Sequence, residues 1–182
     1  MSADENRCPP TEVTRTLRQV RQTRDYRPDP VPEEALLDVL NVARWTGSVT
    51  NTQPWSFVVV TDADAKRRMA EAAPNTPHIG IAPVVIVVVK EPKGVETDHF
   101  DEGRLAERIM IAARAHGLDS GIGRARGDAQ AEIGRILGVP EDLTVRTMVS
   151  VGYPTQEGAR PKSKPGTARR PLETFIHRER FP

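Results

Sequence analysis

The run PVVIVVV, residues 83–89, restricts the fold of this 182-residue chain more than any other stretch. Six β-branched residues follow one proline without a polar interruption. Such residues favour strands, and a strand that does not alternate with polar positions is typical of one covered on both faces. The run is far too short to cross a bilayer as a helix. We therefore expect a buried strand inside a layered domain.

The rest of the chain alternates between strand-like and helix-like stretches. FVVVT (57–61) predicts a second strand buried on both faces, and TVRTMVSVG (144–152) a third. Apolar spacing predicts five helices, over residues 11–23, 32–47, 62–73, 101–117 and 128–138. EPKGVETDH (91–99) is expected to be a loop and LDSGIGRARG (118–127) a glycine-rich turn. This order predicts an α/β or α+β layered domain.

Size and charge limit the organisation and the partners. The chain is expected to form a single domain over residues 1–182, with a loose N-terminus at 1–12. Its 26 basic and 25 acidic residues argue against a polyanionic partner such as nucleic acid. Residues 155–182 hold seven basic and three acidic side chains and no core pattern. This basic extension is expected to be solvated or to pack on a second subunit.

Cysteine and histidine usage argues against a metal site. A single cysteine, Cys8, excludes an internal disulfide framework and a multi-thiolate site. The four histidines share no metal-ligand spacing. No apolar leader segment is visible at the N-terminus, so we expect a cytoplasmic protein without a membrane anchor.

Two polar stretches could bind a ligand. In RQTRDY, Arg21, Thr23 and Arg24 offer two guanidinium groups and a hydroxyl, which suit a phosphate. Taken alone, solvated arginines are the more frequent outcome. In SVTNTQPW, the polar residues Ser48, Asn51 and Gln53 precede a buried strand. They suit the edges of a planar heterocycle, or they only form a turn before a core tryptophan; physics alone leaves both open.

Two further stretches carry weaker signals. The glycines of GLDSGIGRARG permit close backbone approach, but a helix precedes them, so they do not match the dinucleotide-binding fingerprint. Arg169 and Arg170 in ARRPLETF form a basic pair near the C-terminus. They matter for binding only if they meet Arg21 and Arg24 in space.

Taken in order, these stretches resemble the nitroreductase family of flavin oxidoreductases. The resemblance covers about residues 15–181, and its most specific parts are the S-x-x-N-x-Q-P-W segment and the long helix ending in GLDSG. It implies an α+β mixed-sheet sandwich with flanking helices that works as an intertwined homodimer. It also implies FMN at the subunit interface, NAD(P)H as electron donor and a small electron-poor acceptor such as a nitroaromatic or a quinone.

The resemblance assigns roles by position. Arg21, Thr23 and Arg24, with Arg169 or Arg170, would hold the flavin phosphate. Ser48, Asn51 and Gln53 would lie along the flavin, and Gly121, Ile122 and Gly123 would approach its reactive face. No side chain is needed as a catalytic acid or base, because the flavin carries the chemistry.

The chain departs from the common family pattern beside the proposed cofactor. Thr46-Gly47 stands where Ala-Pro is usual, and Val49-Thr50 replaces residues that are usually small. The Val49-Thr50 departure keeps open a relative that uses the deazaflavin F420, reductively dehalogenates its substrate or consumes reduced flavin. A non-catalytic flavin- or anion-binding protein, or a nucleic-acid binder, is the alternative from a different class; near-zero net charge and 4% aromatic residues argue against the nucleic-acid version.

Overall fold

A computed structural model describes residues 11–160 and 169–181, and its centre is a four-stranded antiparallel sheet. The strands are β1 (Trp55–Val60), β2 (Val84–Lys90), β3 (Asp119–Arg124) and β4 (Thr144–Gly152). Their order across the sheet is β1-β2-β4-β3, so β1 and β3 form opposite edges. Every residue of β2 is buried, as the run PVVIVVV predicts.

Helices cover both faces of the sheet and confirm the predicted α+β layers. They are α1 (Glu12–Gln19), α2 (Glu33–Arg44), α3 (Ala63–Ala72), α4 (Val95–Ala115) and α5 (Asp128–Leu137). On one face, α2 and α4 bury Val39 and Ile109 against Ile86 of β2. On the other, α3 and α5 enclose a second core that includes Met69 and Ile133. None of the helices within the described residues is long and apolar enough to cross a membrane.

The long helix α4 begins at Val95, so the loop expected over 91–99 is wrong in its second half. The early start of the helix is explained by contacts with a residue of the sheet. Asp98 and Asp101, in the first turns of α4, lie 3.0 Å and 3.3 Å from the ammonium of Lys90 at the end of β2. All three side chains are buried, so the ion pairs fix the start of the helix against the sheet.

Two other sequence expectations are also wrong. β1 is an edge strand, and Ser56 and Val59 are exposed, so it is not covered on both faces. The glycine-rich segment 118–127 forms β3 rather than a turn. A Cβ placed on Gly121 would lie 2.2 Å from the carbonyl oxygen of Thr23. Glycine there permits close approach within a strand, a use that local sequence does not distinguish from a turn.

Several apolar side chains remain uncovered in the single chain. Val13 and Leu17, on the predicted apolar face of α1, are 69% and 44% exposed. Residues 169–181 are exposed throughout and contain a short 3₁₀ turn, Leu172–Phe175. Among the described residues, no hydrogen bond joins this C-terminal segment to the rest of the chain. Its packing against a partner therefore stays a prediction.

Candidate functional site

The open edge of β3 binds the segment that contains Arg21 and Arg24. The backbone N–H of Thr23 donates to the carbonyl of Ser120 at 2.8 Å. One residue earlier, Oε1 of Gln22 accepts from the N–H of Ile122, also at 2.8 Å. These bonds place the segment along the edge, which agrees with the parallel bridge between Gln22 and Ser120. The structure thus brings the early arginines next to the glycine-containing strand.

Thr23 has an internal partner rather than a free hydroxyl. The residue is buried, and its Oγ1 donates to Oδ2 of Asp119 at 2.8 Å. The other oxygen of that carboxylate accepts from Arg114 at 2.9 Å. Arg21 and Arg24 are exposed and form no ion pair within the described part of the chain. Thr23 therefore fixes the segment, whereas the two arginines are available to a ligand.

A buried cluster of hydrogen-bonded polar groups around Tyr26 and Ser150 lies next to the same edge. The hydroxyl of Tyr26 donates to the carbonyl of Thr23 at 2.6 Å and lies 2.7 Å from Oγ of Ser150. Ser150 in turn donates to the carbonyl of Gly121 at 3.0 Å. Burial raises the pKa of Tyr26 well above its ordinary value, so the phenol stays neutral. These bonds hold segment 21–26 and β3 at a fixed distance.

His78 is a polar side chain near this edge that no sequence motif indicates. It lies in the 3₁₀ turn Pro77–Ile79, is 3% exposed, and both ring nitrogens are shielded from solvent, with the Gly121 backbone as the nearby polar group. Burial and then the charge of Arg24 lower its pKa from 6.5 to about 4, while the nearby Gly121 backbone acts weakly in the opposite direction.

Asn75 reaches the same edge from the same loop. Its Nδ2 donates to the carbonyl of Arg124 at 3.3 Å. Because outward-pointing groups alternate along an antiparallel edge strand, and Ile122 N–H points outward, the N–H of Arg124 points outward as well. No motif marks Asn75 or His78 in the sequence. The available signal is two polar residues in a proline-bounded loop, APNTPHIG, directly before the buried strand.

The second group of predicted residues lies in the turn before β1, residues 46–54. Three residues there that are not glycine have left-handed backbone angles, with φ of 50° at Thr50, 57° at Asn51 and 49° at Gln53. Oγ of Ser48 accepts from the N–H of Gln53 at 2.8 Å and closes the turn. The side chains of Asn51 and Gln53 are exposed. Backbone strain of this kind is often found where a protein binds a ligand.

The predicted site residues fall into three separate places in one chain. Arg21, Arg24 and the glycines of β3 share one sheet edge, while Ser48, Asn51 and Gln53 precede β1 at the other. Three strand spacings separate those edges, which corresponds to about 14 Å. Arg169 and Arg170 belong to the C-terminal segment, where the Arg170 guanidinium lies 4.3 Å from the ring centre of Phe175.

Comparison with known proteins decides the family. The nitroreductase family model matches residues 17–77 and 73–153. The chain belongs to the nitroreductase family. A relative named NADH dehydrogenase, from Thermus thermophilus, is 32% identical over 174 residues, which cover 76% of this chain and 84% of the relative. An FMN reductase [NAD(P)H] of Bacillus subtilis is 24% identical and covers 92% of this chain and 76% of its own.

Solved structures confirm the fold of this nitroreductase-family chain. An FMN-dependent nitroreductase from Clostridium difficile superposes with a TM-score of 0.77 at 22% identity, covering 91% of this chain and 98% of its own. The NADPH:FMN oxidoreductase of Vibrio harveyi, solved in complex with NAD+, gives a TM-score of 0.80 at 21% identity, with 94% and 79% covered.

Proposed function

We propose that this chain oxidises NADH or NADPH and passes the electrons through bound FMN to a small electron-poor acceptor, such as a nitroaromatic or a quinone. Its family supports flavin-dependent oxidoreductase chemistry. The names of its relatives in Bacillus subtilis and Vibrio harveyi add FMN as the flavin and NAD(P)H as the donor. Because the reaction consumes NAD(P)H, we place it in the cytoplasm.

The observation that supports the proposal is that Arg21 and Arg24, exposed and without ion pairs among the described residues, lie beside the glycine-containing strand β3. Guanidinium groups suit the phosphate and the carbonyl oxygens of a flat, anionic heterocycle. Asn75 and the outward N–H of Arg124 add further donors at the same edge. This set of donors therefore fits the polar edge of a flavin ring, and Arg24 adds the positive charge that an anionic ligand requires.

The residues divide into three roles. Arg21 and Arg24, with Arg169 or Arg170, hold the phosphate, and Thr23 fixes the segment that carries Arg21 and Arg24 by its hydrogen bond to Asp119. Ser48, Asn51 and Gln53 lie along the ring system. Gly121, Ile122 and Gly123 form the strand that approaches it, with Gln22 bonded to the N–H of Ile122.

A homodimer completes the site. The turn 46–54 and the β3 edge lie at opposite sides of one sheet, so in our proposal the turn comes to the β3 edge from a second copy. In the same proposal the C-terminal segment 169–181 of the expected extension packs on that partner, whereas Thr155 bonds to Asp25 of its own chain. More than half of the surface of Leu172, Phe175, Ile176 and Phe181 is exposed in the single chain. Uncovered apolar side chains in one short segment are typical of a protein interface.

When bound, FMN supplies the two-electron chemistry, and the chain supplies binding and orientation. Arginines neutralise the phosphate. At pH 7 the imidazole of His78 is neutral, because its pKa lies at about 4, so it adds no second positive charge beside Arg24. No side chain is assigned to proton transfer.

Removing the Arg24 charge tests the proposal. Arg24→Met should raise the dissociation constant for FMN by about 10- to 100-fold, because a hydrogen bond to a charged group contributes about 1.5–3 kcal/mol. Flavin fluorescence measures binding, and loss of absorbance at the reduced nicotinamide band measures turnover with a quinone. Arg27→Met is the matched control, since Arg27 pairs with the exposed Asp29.

Two results would contradict the proposal. One is wild-type protein that binds no FMN and oxidises neither NADH nor NADPH with any acceptor. The other is a chromophore whose mass identifies a deazaflavin, which would replace FMN by F420. Sedimentation of the FMN-bound protein as a monomer at micromolar concentration would remove the dimer.

A further inference from the structure

The strained turn 46–54 is tied to the body of the protein by a single side chain. Nη1 of Arg104, on α4, donates to the carbonyl of Gly47 at 2.7 Å. Within the described residues, no other side chain from outside α2 and the turn hydrogen-bonds to residues 46–54. Two further links lie at the ends of the turn: Thr46 donates to the carbonyl of Ala43 on α2, and the N–H of Glu91 donates to the carbonyl of Pro54.

Backbone strain in the turn makes the hydrogen bond from Arg104 to Gly47 important for holding the turn in place. Thr50, Asn51 and Gln53 all have left-handed φ, and Thr50 is β-branched, which makes this conformation especially unfavourable. Residues held in such regions are destabilising and persist only where the surroundings enforce them. The turn's own bonds to Ser48 and Val49 close it locally, but they do not fix it relative to the sheet.

Arg104 projects from a firmly anchored part of α4. Three residues before it, Asp101 pairs with the buried Lys90. Two residues before it, Glu102 accepts from the hydroxyl of Thr147 at 2.8 Å. The Arg104 guanidinium also lies 5.4 Å from the ring centre of Phe100. Contacts on both sides of this helical turn thus limit where the guanidinium can go.

Gly47 leaves space for the guanidinium. A Cβ at position 47 would lie 3.0 Å from Nη2 of Arg104, closer than a side chain would normally be. This accounts for glycine at a position where the family usually has proline. We infer that Arg104 and Gly47 act as a pair, and that Arg104 is a positioning residue for the turn carrying Ser48, Asn51 and Gln53. The role in cofactor binding rests on the proposed function.

Arg104→Met and Arg104→Lys test the inference with two measurements. In the FMN-free protein, Arg104→Met should speed hydrogen exchange of the Asn51 and Gln53 amides by about 5-fold or more, because the tether that limits opening of the turn is lost. The FMN dissociation constant should rise about 10-fold, and Arg104→Lys, which keeps a cationic donor, should recover most of it. The melting temperature without FMN should change by less than about 2 °C, since the bond is exposed.

Two further variants, Gly47→Ala and Arg67→Met, complete the experiment. Gly47→Ala should move the flexible guanidinium by a few tenths of an ångström and give a weaker form of the Arg104→Met phenotype, and in the Arg104→Met background it should add nothing. Arg67→Met on α3, which removes exposed pairs with Asp64 and Glu71, should change neither measurement. Unchanged exchange in Arg104→Met, or FMN affinity within about 2-fold of a wild type that does bind FMN, would overturn the inference. Failure of the wild type to bind FMN would overturn only the proposed function, because exchange is measured without it.

Discussion

The β3 edge and the turn before β1 both present residues assigned to the cofactor, but they hold those residues differently. At the β3 edge, Thr23, Tyr26 and His78 are buried and the backbone has ordinary strand geometry. In the turn, Asn51 and Gln53 are exposed and the backbone is strained. Burial orients the first group, whereas a local closure and one guanidinium orient the second. The first region should therefore tolerate substitution poorly, and the second should gain stability when its strain is released.

The largest effect is expected at Gly121. Gly121→Ala would place Cβ 2.2 Å from the Thr23 carbonyl oxygen, so segment 21–26 must separate from β3. The free energy of unfolding should fall by more than about 3 kcal/mol, measured by urea denaturation. Gly103→Ala is the control, since its Cβ would meet nothing within 4 Å and it lies within a helix. Equal stability of the two variants would contradict close packing at the β3 edge.

The next effect is a pH dependence caused by His78. In the unfolded chain this imidazole binds a proton below about pH 6.5, but in the folded chain only near pH 4. The folded state binds fewer protons in between, so the free energy of unfolding falls as the pH drops from about 6.5 to 4. The difference reaches about 3 kcal/mol at pH 4. His78→Gln should remove this part of the slope, as measured by denaturation at several pH values; parallel curves would show that His78 is not buried as a neutral group.

The smallest effect is expected in the turn and has the opposite sign. Thr50→Gly should raise the free energy of unfolding by about 1 kcal/mol, because glycine adopts a φ of 50° without a steric penalty. Thr52→Gly is the matched control, since Thr52 has an ordinary φ of −69° and should lose stability. If both threonines respond alike, strain does not distinguish the turn from the β3 edge.

The local sequence was sufficient to predict an element where neighbouring residues, or a run of similar residues, determine it. Six consecutive β-branched residues predict β2, and Asp62 begins α3 by accepting from the N–H of Ala65. It failed where a distant residue decides. The early start of α4 depends on Lys90, and the strand at 119–124 depends on its pairing with β4, neither of which the local sequence shows.

The candidate site shows the same limit. Arg21 and Arg24 could be proposed because paired arginines suit phosphate, and the family resemblance supplied the remaining positions. His78 could not be found, since one histidine without a motif says nothing about burial, and Asn75 is similar. The Thr46-Gly47 departure was visible in the sequence, but its partner Arg104 lies 57 residues away and became apparent only in three dimensions.

The buried ion pairs of Lys90 also bear on how the sheet aligns during folding. β2 reads VVIVVVK, and a shift of two residues would leave valine or isoleucine on almost every inward position, so packing alone discriminates poorly between registers. The same shift would move the ammonium of Lys90 away from Asp98 and Asp101 and leave a buried charge unpaired, which costs several kcal/mol. One lysine at the end of an otherwise repetitive strand thus makes the correct alignment with β1 and β4 distinguishable from its neighbours.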